Sequence, residues 1–201
     1  MCGRYTLYTD RDIEDLDNIL SKIDDPKKEN MKTGEIFPSN TVPVLLYEEK
    51  EIKPQLMVWG FPGFKNKQLI INARSETAAE KPMFKTAMQS RRCVIISTGF
   101  FEWDCDKRRY QFNMPDSEML FMAGLYSHFD EDDRFVILTK EANSSISQVH
   151  HRIPVVLEQR LIHDWLANWE EAQSILSFEG PKLVTKPSSN QVLSEQIEIK
   201  W

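Results

Sequence analysis

The chain has 201 residues, 41% of them hydrophobic and 28% charged, with a net charge of −6 and three cysteines. That length suits one domain, 1–201, able to bury a substantial core without metal or disulfide staples, and the composition is too polar for a membrane protein and too apolar for a disordered one. No apolar run approaches the roughly 18 residues that span a bilayer, and Met1 to Ile13 is too polar for a signal peptide, so a cytoplasmic protein with no membrane partner is expected.

Behind Thr9 or Asp10, either of which can serve as an N-cap, the apolar residues Ile13, Leu16, Ile19, Leu20 and Ile23 recur at helical spacing. From Val42 onward short β-rich runs dominate: Val42 to Tyr47, Gln55 to Trp59, Cys93 to Ser97, Tyr110 to Met114, Met119 to Leu125 and Arg134 to Thr139. Connections as short as Asp104 to Arg109 favour antiparallel hairpins over βαβ units. Helices are predicted at Met83 to Ser90, at Ser144 to His150 with Asn143 as cap, at Gln159 to Trp165 and at Glu170 to Phe178. The fold class is therefore α+β, and the polar stretch Thr185 to Trp201 is expected to be loosely held.

Cys2 stands directly behind the initiator methionine. Removal of one residue leaves an α-amine of pKa about 7.7 to 8.0 beside a thiol of pKa about 8.5. Such an aminothiol forms an imine with an aldehyde, and the thiol closes on it to give a thiazolidine. A translation start in a frayed terminus reads equally well from position alone. Cys2, Cys93 and Cys105 form no CxxC pair, which argues for reduced thiols and against zinc.

Other segments place polar groups beside residues that read as buried. Asn72 and Arg74 follow the apolar pair Ile70 and Ile71; an amide donates and accepts, and an Arg fork suits phosphate, whereas Ser75 capping a helix with Arg74 in a surface ion pair is the bland account. Glu102 lies among Phe100, Phe101 and Trp103, where desolvation raises a carboxyl pKa toward neutrality, unless it is the outward residue of an alternating strand. His150, His151 and Arg152 combine titratable imidazoles with a phosphate-binding fork, and adjacent histidines are expected to face different ways. Trp59 reads as core and Phe64 as a ring able to stack on a base. A net charge of −6 requires any nucleic-acid site to be local. Basic residues cluster at Arg91 and Arg92, at Lys107 to Arg109, and at Lys81 with Lys85, against acidic runs at Asp10 to Asp25 and Asp130 to Asp133; each run also reads as a solvated face.

Together, Met1-Cys2-Gly3-Arg4, Pro38 with Val42-Pro43-Val44, Trp59-Gly60, Asn72 to Thr77, Arg92-Cys93, Gly99 to Trp103, Ala123-Gly124-Leu125 and His150 to Pro154 resemble the SRAP family. These are the SOS response-associated peptidase-like proteins, which process abasic sites in DNA. The motif matches run from residue 1 to about 157, and the C-terminal part is poorly matched. The resemblance implies a compact fold around a barrel-like antiparallel sheet with flanking helices. It also implies a groove for single-stranded DNA and its junctions with duplex, no metal or cofactor, a monomer, and association with the nucleoid during DNA damage in a bacterial or phage setting. By the same resemblance Cys2 attacks the abasic-site aldehyde, Asn72 positions the sugar or amine, Glu102 moves protons, and His150 assists imine formation and reversal. Arg4, Arg74, Pro38, Phe64 and Arg152 contact DNA, and lyase, crosslink-reversal and Met1 autopeptidase activities are implied. The chain departs from the family in having Gly34-Glu35 where members carry Tyr-Asn, and Phe64 where many carry tryptophan. A cysteine N-terminal-nucleophile amidohydrolase and a passive single-stranded DNA binder are the competing functions.

Overall fold

Unbroken runs of buried residues at 42–46, 92–97, 120–125 and 135–139 build the long strands, and their closure into a ring sets where the polar residues meet. The computed structural model describes residues 2–11, 13–63 and 68–187, with backbone alone at 186 and 187. In chain order, β1 (Tyr5–Leu7) precedes α1 (Glu14–Ser21), β2 (Gly34–Ile36), β3 (Thr41–Glu48), β4 (Glu51–Trp59), β5 (Phe61–Pro62), β6 (Leu69–Ile70), β7 (Asn72–Arg74), α2 (Ser75–Ala78) and α3 (Pro82–Ser90). Then follow β8 (Arg92–Ser97), β9 (Gly99–Trp103), β10 (Arg109–Asn113), β11 (Leu120–Phe129), β12 (Asp132–Glu141), β13 (Arg152–Pro154), β14 (Val156–Leu157), α4 (Ile162–Ala167), α5 (Trp169–Ser177) and β15 (Val184–Pro187).

β3, β4, β12, β11 and β8 pair in a closed circuit, with β7, β13 and β14 attached to it. Closure removes the exposed edges that invite aggregation. The barrel-like α+β expectation holds, with one correction: the ring is not wholly antiparallel. β12 runs parallel to β4 at Arg134↔Val58 and Phe135↔Trp59, and parallel to β7 at Ile137↔Asn72 through Thr139↔Arg74. The chain between β4 and β12 is long enough to cross over and return in the same direction. Inside the ring Trp59 stacks on Phe135 with centroids 6.3 Å apart and meets Tyr5 at 5.2 Å. Gly124 is required there, because a Cβ would lie 2.4 Å from Ile95 Cδ1 and 2.9 Å from the Val136 carbonyl.

A second sheet runs β15, β10, β9, β1, β2, joined throughout by antiparallel pairs. Its register places Tyr5, Ile36, Phe100 and Glu102 on one face and Glu35, Thr6, Phe101, Trp103 and Arg109 on the other. Glu102 is buried on its face, so the reading that makes it the outward residue of an alternating strand is corrected.

Two helical expectations also change. α1 begins at Glu14, with Ile13 as N-cap and no side-chain cap bond. Burial of Ile13 anchors the entry, and Glu14, Asp15 and Asp17 in the first turn complement the helix dipole in place of a Thr9 or Asp10 cap. Residues 144–149 form successive turns rather than a helix. Asn143 Oδ1 accepts bonds from both the backbone and the hydroxyl of Ser145, the local competition by which Asn and Ser disfavour helix propagation.

Candidate active site

Cys2 leads into β1 and is fully buried. Its Sγ lies 3.7 Å from the Arg4 carbonyl, and its own carbonyl accepts a 2.8 Å hydrogen bond from Asn72 Nδ2. β1 belongs to the five-stranded sheet and β7 to the ring, so this bond joins the two sheets. Burial, and secondarily the Glu102 charge, push the Cys2 thiol well above its ordinary range. The sulfur therefore rests as a thiol.

Glu102 is 2% exposed on β9, and burial raises its carboxyl pKa while nearby positive charge, that of His151 included, pulls the other way. Gly99 makes this stretch of β9 possible. Its φ of +145° brings the backbone so close to Asn113 that a Cβ would lie 2.5 Å from Nδ2. His150 Nδ1 lies 2.9 Å from the Arg152 backbone N–H and 3.1 Å from the Arg152 carbonyl, so it accepts from the first when the ring hydrogen is on Nε2 and donates to the second when Nδ1 is protonated. Burial, then nearby positive charge including that of Arg152, lowers the His150 pKa. The expectation that adjacent histidines diverge is overturned: the His150 and His151 rings stack, centroids 4.5 Å apart at 23°. The chain bends at 151, and His151, which the sequence reading named beside His150 but gave no catalytic role, is a histidine whose positive charge would lower the Glu102 pKa.

Arg152 grips Glu76 through two bonds of 2.7 and 2.9 Å and donates to the Thr139 carbonyl at 2.6 Å, fastening β13 to α2. Arg74 is exposed at the end of β7 and, with Asn72, Lys81, Ile70, Met83 and Phe84, lines a cavity of about 550 Å³. Ser75 is the first residue of α2 and Arg74 takes the N-cap position without a side-chain bond, so the capping account of Ser75 is corrected. Arg4 Nη1 is 2.7 Å from Glu35 Oε1, a carboxylate the sequence reading noted only as a departure. Pro38 is half-buried in the turn that carries Ser39 at φ 74°. Phe64 lies outside the described residues. Arg92 belongs to no basic surface: it is 6% exposed and bound to four backbone carbonyls. Among the described residues no group of three or more His, Cys, Asp or Glu side chains is arranged to hold a metal, and no helix is long and apolar enough to cross a membrane.

Where the two sheets meet, a buried thiol thus lies within electrostatic reach of a carboxyl raised by desolvation, a pairing of nucleophile and proton donor. The model of the SOS response associated peptidase (SRAP) family matches residues 1–195, and the chain belongs to that family. It is 29% identical to the abasic site processing protein YoaM of Bacillus subtilis, over 94% of this chain and 95% of that one. It is also 29% identical to the abasic site processing protein YedK of Escherichia coli, over 83% and 79% of the respective chains. In fold it is similar to a crystal structure of a Bacteroides thetaiotaomicron protein, with a TM-score of 0.74 at 22% identity over 96% of this chain and 94% of that one.

Proposed function

We propose that this protein processes abasic sites in DNA, with Cys2, freed by removal of Met1, condensing with the ring-opened aldehyde to form a thiazolidine crosslink. The observation that carries the reading is the position of Cys2, fully buried, held through its carbonyl by Asn72 at 2.8 Å and under the charge of Glu102. The relatives described as abasic site processing proteins support it.

The freed amine adds to the aldehyde carbon to give a carbinolamine, and the Glu102 carboxylic acid protonates the departing hydroxyl, so that water leaves and, as the nitrogen releases its proton to solvent, an imine remains. The Cys2 sulfur then adds to the imine carbon. Its proton passes to Glu102 and the imine nitrogen takes up one proton, so the net change is aldehyde plus aminothiol giving thiazolidine plus one water. A carboxyl with a raised pKa can both donate and recover a proton near neutrality. His150 assists imine formation and its reversal. Single-stranded DNA, or its junction with duplex, suits the neighbouring cavity: Ile70, Met83 and Phe84 offer an apolar surface for a base, and Arg74 and Lys81 offer cations for phosphate. The condensation requires no cofactor.

The test is denaturing electrophoresis with intact-mass analysis after incubation with single-stranded DNA carrying one abasic site, beside Cys2→Ala and undamaged DNA. The expected product is a Cys2-dependent adduct with the mass of protein lacking Met1 plus DNA less one water. Protein verified to begin at Cys2 that yields no adduct overturns the reading and returns the amidohydrolase or the passive binder to first place.

A further inference from the structure

One carboxylate oxygen on the outward face of the five-stranded sheet is shared by two guanidiniums. Glu35 Oε1 lies 2.7 Å from Arg4 Nη1 and 2.8 Å from Arg109 Nη2. Each guanidinium rests on an aromatic ring, Arg4 at 3.8 Å from the Phe37 centroid and Arg109 at 3.5 Å from that of Phe101, with Trp103 at 5.7 and 5.9 Å from the two. Stacking holds the planes of both cations, with one terminal nitrogen of each on the same oxygen. The three charged side chains are only 29%, 29% and 18% exposed, so the cluster is shielded yet open to solvent at Glu35. Burial raises the Glu35 pKa, but the bonds from Arg109 and Arg4 outweigh it and hold the carboxyl below its usual range, so it stays charged at neutral pH.

One N–H donor from each of two guanidiniums on a single anionic oxygen is an arrangement that a phosphodiester oxygen also accepts. Two cations against one carboxylate also leave a local excess of one positive charge in a chain whose net charge is −6. Arg4 is two residues beyond Cys2, within about 7 Å along an extended chain. Phe37, at 41% exposure, keeps part of its ring in solvent while Arg4 lies over it.

We propose that Arg4 and Arg109 form a backbone-phosphate site for the single-stranded DNA engaged at Cys2, and that Glu35 occupies this site as an internal competitor which the strand displaces. This rests on the abasic-site reading above and adds to it a second arginine and a built-in brake on binding. Because the competitor stays ionised, release comes by exchange of one anion for another, and the carboxylate moves into water as phosphate enters. Glu35 thereby weakens binding to every strand and leaves tight retention to those that also bond to Cys2.

The test measures fluorescence-anisotropy affinity for undamaged single-stranded DNA from low to moderate salt, with Glu35→Gln, Arg109→Gln and Arg109→Lys, each checked for wild-type melting behaviour. Glu35→Gln is expected to tighten binding roughly fivefold at low salt, and Arg109→Gln to weaken it by a similar factor and flatten the slope of log affinity against log salt by about 0.7. Arg109→Lys, which keeps the charge without the fork, is expected to fall between. Folded variants with unchanged affinity and slope, in protein that still crosslinks abasic DNA through Cys2, would make the cluster a structural tie between β2 and β10 and sink this proposal alone. Wild-type protein that neither crosslinks nor binds the strand would sink the abasic-site reading and this site with it.

Discussion

Glu102 shows how one desolvated group links stability to chemistry. Its folded-state pKa is raised, chiefly by burial. The protonated form is therefore favoured by folding, and the associated stability is fully present below the unfolded pKa of about 4.3 and is lost as pH rises through the folded value. As pH rises beyond the unfolded value, the folded protein bears the cost of holding this group out of water while the unfolded chain ionises freely, a cost that a glutamine in its place avoids. Glu102→Gln is accordingly expected to melt higher than wild type at pH 8, by about 2–4 °C for each kcal/mol recovered, with the difference shrinking toward pH 4. The same variant cannot pass protons, and its crosslinking to abasic DNA should slow by about 100-fold or more while affinity for undamaged DNA is retained. Melting curves at the two pH values and single-turnover crosslinking give the two readouts. Equal crosslinking rates would remove Glu102 from the mechanism.

At the scale of elements, the site depends on how short strands are held. Arg152 joins β13 to α2 through Glu76 and to β12 through the Thr139 carbonyl, and its backbone N–H fixes the His150 ring. Glu76→Ala leaves the guanidinium, 11% exposed, without its bidentate partner. An expected loss of about 1–2 kcal/mol follows, modest because Glu76 itself is half exposed, and crosslinking should slow as His150 loses its fixed orientation. Denaturant titration and crosslinking kinetics check the pair. A gain is available in the β3–β4 hairpin, whose two-residue turn places Glu49 at φ 52° and Lys50 at φ 69°. Lys50→Gly is expected to raise stability by about 1 kcal/mol, since glycine takes this left-handed turn conformation without steric cost. The same scale explains what was legible in the sequence. Val42 to Tyr47 and Cys93 to Ser97 are long enough for their composition to mark β3 and β8, and α3 and α5 carry helical periodicity. β2, β7 and β13, three residues each, are too short for a period to register and exist because longer neighbours hold them. Cys2, Asn72 and Glu102 lie inside recognisable motifs. The Glu35 contact with Arg4 and Arg109, and the Glu76 contact with Arg152, join residues up to 76 apart in the chain, and nothing local marks such a pair.

For the molecule as a whole, the question is what fastens the helices to the strand ring, and the answer runs through Arg92. It begins β8, where at 6% exposure it has no carboxylate bonded to it among the described residues; its bonds go to the Met88 and Gln89 carbonyls in the last turn of α3 and to the Trp165 and Leu166 carbonyls in the last turn of α4. Two helix C-termini, each carrying the negative end of its dipole and unsatisfied carbonyls, converge on one guanidinium. Trp165 completes the joint by donating from Nε1 to the Cys93 carbonyl at 2.9 Å. An arginine fork reaches both termini at once, and a lysine ammonium cannot. Arg92→Lys is therefore expected to cost about 2 kcal/mol, and Arg92→Ala, which strands three buried carbonyls and a part-buried one and leaves a cavity, about 3–5 kcal/mol. Were Arg92 instead part of a DNA-binding surface, as its place beside Arg91 in the sequence allows, Arg92→Lys would leave the denaturant midpoint unchanged and alter the salt dependence of DNA binding. The buried geometry predicts the reverse: a lowered midpoint, with the salt dependence of the remaining folded protein unaltered.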